Sequence, residues 1–104
     1  MKAGVRRSNV VVTNPTHYAV ALYYEKGETV VPIVTAKGED YMAQIIRETA
    51  EEEGIPMMRN VDLARALYAD VEMDDFISPD LFEAVAQVLL WARDVKNKPS
   101  EQSP

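Results

Sequence analysis

The sequence predicts an α/β domain: a small mixed β-sheet of about four strands packed by three or more helices, in a single unit. Three observations predict it. Runs of β-branched and aromatic residues crowd the stretch before Thr35, apolar residues recur at helical spacing after Asp40, and the resulting order is β-β-β-α-β-α-α. A chain of 104 residues is one domain's worth and too little for two independent cores. Its composition, 47% apolar and 27% charged, is that of a folded domain and not of a disordered one.

The elements follow in order. Residues 1–8 hold Lys2, Arg6 and Arg7, no acid and no apolar period, and so read as a linker outside the core. Val10-Val11-Val12 is a short strand stopped by Asn14-Pro15. Tyr18 to Tyr24 is apolar or aromatic throughout, as suits a strand buried on both faces. After a turn at Glu25 to Glu28, Val30 to Thr35 forms a third strand, which Pro32 confines to an edge or a bulge. Met42, Ile45, Ile46, Thr49 and Ala50 share one helical face, and Gly54 ends that helix. Ile55 to Met58 is a fourth short strand. Asn60 caps a helix carrying Val61, Leu63, Ala64, Leu67 and Tyr68. Ser78-Pro79-Asp80 opens the last helix with a capping hydroxyl, a proline at the first helical position and an acid. That helix buries Phe82, Val85, Val88, Leu89 and Ala92. The folded unit spans 9–97, and the polar, proline-bearing residues 98–104 read as a disordered tail.

Charge and residue type exclude several classes of function. A net charge of −6 is the wrong sign for a nucleic-acid surface. The chain has no cysteine, so it holds no disulfide framework or zinc ribbon. A lone histidine and acids without ligand spacing give no metal site, and no glycine pattern forms a phosphate loop, so no metal or cofactor is expected. No serine sits in a nucleophile elbow. The first residues lack the apolar core of a secretory signal, and no run approaches the roughly 18 apolar residues of a spanning helix. Glu51-Glu52-Glu53, with Asp74-Asp75, reads as a solvated face or as an acidic docking surface. Tyr18, Tyr23 and Tyr24 read as sheet residues more readily than as a binding platform.

Chemistry concentrates in Asn14-Pro15-Thr16-His17, between the first two strands. On its own, Asn-Pro is an ordinary turn. A sharper reading follows from what proline removes. Pro15 has no N–H, so the next residue's nitrogen cannot attack the Asn14 side chain. The reverse attack stays open: the Asn14 amide nitrogen adds to Asn14's own backbone carbonyl, closes a succinimide and expels Pro15 as an amine. The residue before proline is biased away from helical backbone, which suits that trajectory. His17, the lone histidine, could orient the amide, accept its proton or relay one to the leaving nitrogen. Thr16 could donate to the developing oxyanion through its hydroxyl or its backbone N–H.

Ser8-Asn9-Val10-Val11-Val12-Thr13-Asn14-Pro15-Thr16-His17-Tyr18-Ala19-Val20-Ala21-Leu22 resembles the cleavage region of the FlhB/YscU family, the export-gate switch proteins of flagellar and virulence type III secretion systems. Gly27-Glu28-Thr29 followed by Pro32 is similar to the virulence branch, and Ala36-Lys37-Gly38 to the flagellar one; the balance leans to virulence. Leu63-Ala64-Arg65-Ala66-Leu67-Tyr68 resembles a second family signature, and Phe82 to Leu89 the final helix. Asp62 stands where many relatives have proline.

The resemblance implies a domain at the cytoplasmic face of the bacterial inner membrane that cuts itself once between Asn14 and Pro15. The fragments stay associated, and no catalysis in trans is expected. Asn14 would be the cyclising residue, Pro15 the new N-terminus, and Thr16 and His17 the assisting residues. The implied task is to switch export from early to later substrates. The implied partners are other secretion-apparatus proteins, secreted substrates or their chaperones, and a needle- or hook-length control protein. Residues 1–8 would then be the remnant of a linker toward a membrane domain of the parent protein. The alternative is a non-cleaving acidic protein-binding module in which the tetrapeptide is only a turn. A third, weaker reading is a small enzyme using His17.

Overall fold

The computed structural model describes residues 1–97, so the tail expected over 98–104 lies outside the described residues. The sheet has four strands: β1 (Val10–Asn14), β2 (Tyr18–Tyr23), β3 (Ile33–Glu39) and β4 (Met57–Arg59). Their spatial order is β3-β2-β1-β4. β1 is antiparallel to β2 and β2 to β3, whereas β1 and β4 run parallel. The sheet is therefore mixed, as predicted. A register shift at Ala21/Leu22 marks a bulge between β2 and β3.

Helices cover both faces. Alternation along β1 sends Val10 and Val12 to a core shared with α3 (Val61–Asp70) and α4 (Phe82–Asn97). It sends Val11 to a second core shared with α1 (Lys2–Arg7) and α2 (Asp40–Glu53). Buried on both faces, β1 and the middle of β2 can be apolar at every position, and Val10 to Val12 and Ala19 to Leu22 are all fully buried.

The structure corrects the sequence-based boundaries in several places. Residues 1–8 are not an extended linker: Lys2–Arg7 is a helix, and Val5 is fully buried in the second core. A single apolar residue in a helix of six gives no period to detect. Gly4 is a close-packing residue. Its carbonyl accepts from Thr35 Oγ1 at 2.7 Å, and a Cβ at Gly4 would sit 2.0 Å from the Thr35 carbonyl. Arg6 reaches Glu53 at 3.0 Å, so one member of the acidic run is engaged in tying α1 to α2.

β3 starts after Pro32 and runs on through Lys37-Gly38-Glu39, later than expected, and Val30 is 86% exposed. It is an edge strand, consistent with the proline before it. β4 starts at Met57, with Ile55 buried just ahead of it. On α2 the buried positions are Ala43, Ile46, Thr49 and Ala50, and Met42 turns outward. Gly54 ends α2 in a left-handed conformation with φ 70°. Asn60 caps α3 as predicted, accepting from Leu63 N–H at 3.2 Å. Ser78 occupies the cap position, but its hydroxyl makes no capping bond. Pro79–Leu81 forms a 3₁₀ turn before α4, and Phe82 is exposed and not buried as expected.

Candidate functional site: the Asn14–His17 turn

The turn joins the central strand β1 to β2. The cross-strand pair Asn14↔Tyr18 closes it, and Tyr18 pairs in turn with Glu39 on β3. Asn14, Tyr18 and Glu39 thus form one row across three strands. Pro15, Thr16 and His17 project from the sheet into solvent.

Asn14 itself is only 6% exposed. None of the side-chain hydrogen bonds among the described residues engages its carboxamide. The Asn14 backbone carbonyl, by contrast, accepts from the His17 backbone N–H at 2.9 Å. Thr16 has φ 71°, and proline followed by a residue of positive φ is the signature of a type II turn. Glycine usually occupies that position. A β-branched residue there holds the backbone against its steric preference.

This arrangement differs in one respect from the sequence expectation. The donor on the Asn14 carbonyl is the N–H of His17 and not a group of Thr16. Thr16 contributes through its backbone, whose left-handed bend brings the His17 N–H under that carbonyl. The His17 ring is 67% exposed, with Nδ1 4.0 Å from Asp40 Oδ1, and the Asp40 N–H donates to the His17 carbonyl at 2.8 Å.

Below the turn lies a polar-aromatic layer. Tyr18 stacks on Tyr68 of α3 with ring centroids 4.7 Å apart. Lys37 Nζ sits 4.9 Å from the Tyr68 ring centre and donates to the Tyr68 carbonyl at 2.8 Å. That carbonyl lies in the last turn of α3, where a cation is favoured. Tyr68 Oη donates to Glu39 at 3.3 Å. Burial, and then the Glu39 carboxylate, push the Tyr68 phenol above its ordinary range. The layer fixes Tyr18, and through it the closing pair of the turn.

Asp40, Lys37 and Tyr68 escaped the sequence-based assignment of the site. Asp40 begins a helix and Tyr68 lies on an apolar helical face, so local pattern accounts for each without reference to the turn. A second feature was also missed. An apolar groove of about 710 Å³ runs between the segment after β2 and the outer face of α4. Val30, Val31 and Pro32 line one wall, and Phe82, Leu89 and Leu90 the other. Lys26, Arg93 and Lys96 border it against the single acid Glu25, so its net charge is opposite to that of the molecule as a whole. Among the described residues no cluster of acids, histidine or cysteine is arranged to hold a metal, and no helix is long and apolar enough to cross a membrane.

The sequence profile described as the "FlhB HrpN YscU SpaS Family" matches residues 1–92, and the chain belongs to that family. It is 48% identical over 91 residues to Yop proteins translocation protein U of Yersinia pestis, covering 88% of this chain and 26% of that protein. It is 45% identical over 98 residues to flagellar biosynthetic protein FlhB of Aquifex aeolicus, covering 94% of this chain and 28% of that protein. The chain therefore spans about a quarter of the length of these curated relatives.

Among solved structures, it superposes on an EscU C-terminal domain bearing an asparagine-to-aspartate substitution with a TM-score of 0.85. Identity there is 40%, and coverage is 88% of this chain and 97% of that one. The cytoplasmic domain of FlhB from Shewanella putrefaciens gives a TM-score of 0.85 at 40% identity, covering 91% and 77%.

Proposed function

We propose that this chain is the self-cleaving switch domain of a type III secretion export apparatus, cut between Asn14 and Pro15. The observation that carries the reading is an Asn14 residue held in the sheet with its carboxamide unengaged by any side-chain hydrogen bond among the described residues, beside its own backbone carbonyl, which accepts from the His17 N–H. Asn14 Nδ2 attacks the Asn14 carbonyl carbon, and the C–N bond to Pro15 breaks. Nδ2 gives up a proton, and the proline nitrogen takes one. The products are residues 1–14 ending in a succinimide and residues 15–104 beginning with a secondary amine. Water then opens the succinimide. Negative charge grows on the Asn14 carbonyl oxygen during attack, where the His17 N–H already points. His17's exposed imidazole would exchange the transferred proton with solvent.

Other features fit the same reading. The neighbouring EscU domains include one substituted at an asparagine and another at the proline numbered directly after it. The groove beside α4, apolar with a basic border, suits a short apolar segment of an exported protein with acidic flanks. The domain would act at the cytoplasmic face of the inner membrane, with residues 1–8 leading toward a membrane-embedded part of the parent protein. Its partners would be apparatus proteins, exported substrates or their chaperones, and a length-control protein. The reaction is a single intramolecular event, with no turnover in trans.

The deciding experiment is the intact mass of the purified, denatured chain beside an Asn14→Ala control. The expected result is two species for the natural chain, residues 1–14 and 15–104, and one full-length species for the control. A single full-length mass in both would sink the cleavage reading. The groove would then favour a non-cleaving binding module.

A further inference from the structure

We infer that Asp40 is a positioning residue for cleavage at Asn14–Pro15, a role that rests on the self-cleavage reading above. The His17 residue is tethered at both of its backbone polar groups. Its N–H donates to the Asn14 carbonyl at 2.9 Å, and its own carbonyl accepts from the Asp40 N–H at 2.8 Å. The first contact reaches the oxygen on which charge develops as the succinimide closes. A donor aimed there helps most when it is fixed before the reaction. His17 lies outside the strands, since β1 ends at Asn14 and β2 begins at Tyr18, and its side chain is exposed. The tether from Asp40 therefore replaces a restraint that the hairpin does not supply.

Asp40 makes this contact by an unusual route. It stands at the junction of β3 and α2 with φ 52°, a left-handed conformation. Thr16, directly before His17, is also left-handed at φ 71°. The His17 backbone is thus bracketed by two residues held off their preferred conformation. Aspartate tolerates this better than most residues, because a short polar side chain bonds locally, whereas a β-branched one clashes. The Asp40 carboxylate lies 4.0 Å from His17 Nδ1 with both side chains exposed, too far for a direct hydrogen bond. The backbone, and not the charge, is the operative part.

This assignment predicts an order of variants set by tolerance of left-handed backbone and not by charge. Cleavage is timed in pulse-labelled cell-free synthesis of the full chain. Asp40→Gly and Asp40→Asn should cut within about threefold of the natural rate. Asp40→Ala should be roughly tenfold slower and Asp40→Val slower still, since each meets the steric penalty of left-handed backbone. Asp74, at φ 68° in another loop, supplies the control. Asp74→Val should lower the melting temperature and leave the cleavage rate alone. Melting is measured for each substitution on the Asn14→Ala background, which separates lost fold from lost rate.

Three results would each overturn the inference: Asp40→Val cutting at the natural rate, Asp40→Gly as slow as Asp40→Val, or Asp74→Val slowing cleavage equally. A natural chain that stays intact removes the self-cleavage reading and this inference together. A natural chain that cuts while the series at position 40 stays flat removes this inference alone.

Discussion

Among the described residues Thr16 carries the sharpest local conflict, a β-branched side chain on a backbone with φ 71°. A left-handed conformation costs such a residue about 1–2 kcal/mol, so the folded hairpin holds Thr16 against its own preference. Glycine removes that cost. On the non-cleaving Asn14→Ala background, Thr16→Gly should raise the melting temperature, by about 4–8 °C for each kcal/mol relieved in a domain of this size. In the otherwise natural chain the same change should slow cleavage several-fold. A more mobile turn keeps the His17 N–H on the Asn14 carbonyl for less of the time, and fixed donors are the ones that stabilise developing charge. Calorimetry reads the first effect and a mass-spectrometric time course the second. A glycine variant that both melts higher and cuts faster would show that the backbone strain opposes the reaction. The turn itself was legible in the sequence because Asn-Pro is a routine turn signal. The donor on the carbonyl was not, because the sign of φ at a threonine is set by how the strands on either side meet.

At the level of elements, β1 decides what cleavage does to the fold. It is a central strand, paired with β2 on one side and β4 on the other, with Val10, Val11 and Val12 fully buried. The N-terminal fragment would keep α1 as well, anchored by Val5 and by the Arg6–Glu53 pair. Losing this piece opens both cores at once, so the cut chain should stay together through native gel filtration and separate only in denaturant. Val12→Ala tests the point. It should cost roughly 2 kcal/mol of packing in either form. Only in the cut form should it also release residues 1–14 on dilution, because the covalent tether is gone. Retention of the fragment at nanomolar concentration would show that β1 is held by more than its side chains.

The same strand shows what sequence can and cannot say about a fold. A run buried on both faces reads plainly as a strand, and Asn60 and Gly54 mark their helix ends by local chemistry. α1 did not show, since one valine and a glycine pressed against Thr35 become core only through contact with β3. β3 was placed too early because Val30 and Val31 look like strand residues; they line the groove instead.

On the scale of the whole molecule, the turn and the groove occupy opposite ends of β1. Asn9, which lines the groove, accepts from the Tyr24 N–H at 2.6 Å through its side chain. Asn14 lies five residues on, about 17 Å away along an extended strand. A cut at Asn14–Pro15 breaks the chain at the turn end only, while the strand between is locked on both faces. Cleavage should therefore change the surface around His17 and Asp40 and leave the groove as it was. Hydrogen exchange on the cut chain and on Asn14→Ala distinguishes a local change from a general one. The His17 and Asp40 amides, bonded to the Asn14 and His17 carbonyls, should lose protection on cutting. The amides of Val11 and Tyr24 should not, because their acceptors, the Pro56 carbonyl and the Asn9 side chain, are untouched. Loss of protection at Tyr24 would mean that the cut is transmitted along β1 to the groove, and the switch would then act by reshaping the docking surface itself. Protection kept there assigns the change in behaviour to the remodelled turn, with the groove serving the cut and uncut forms alike.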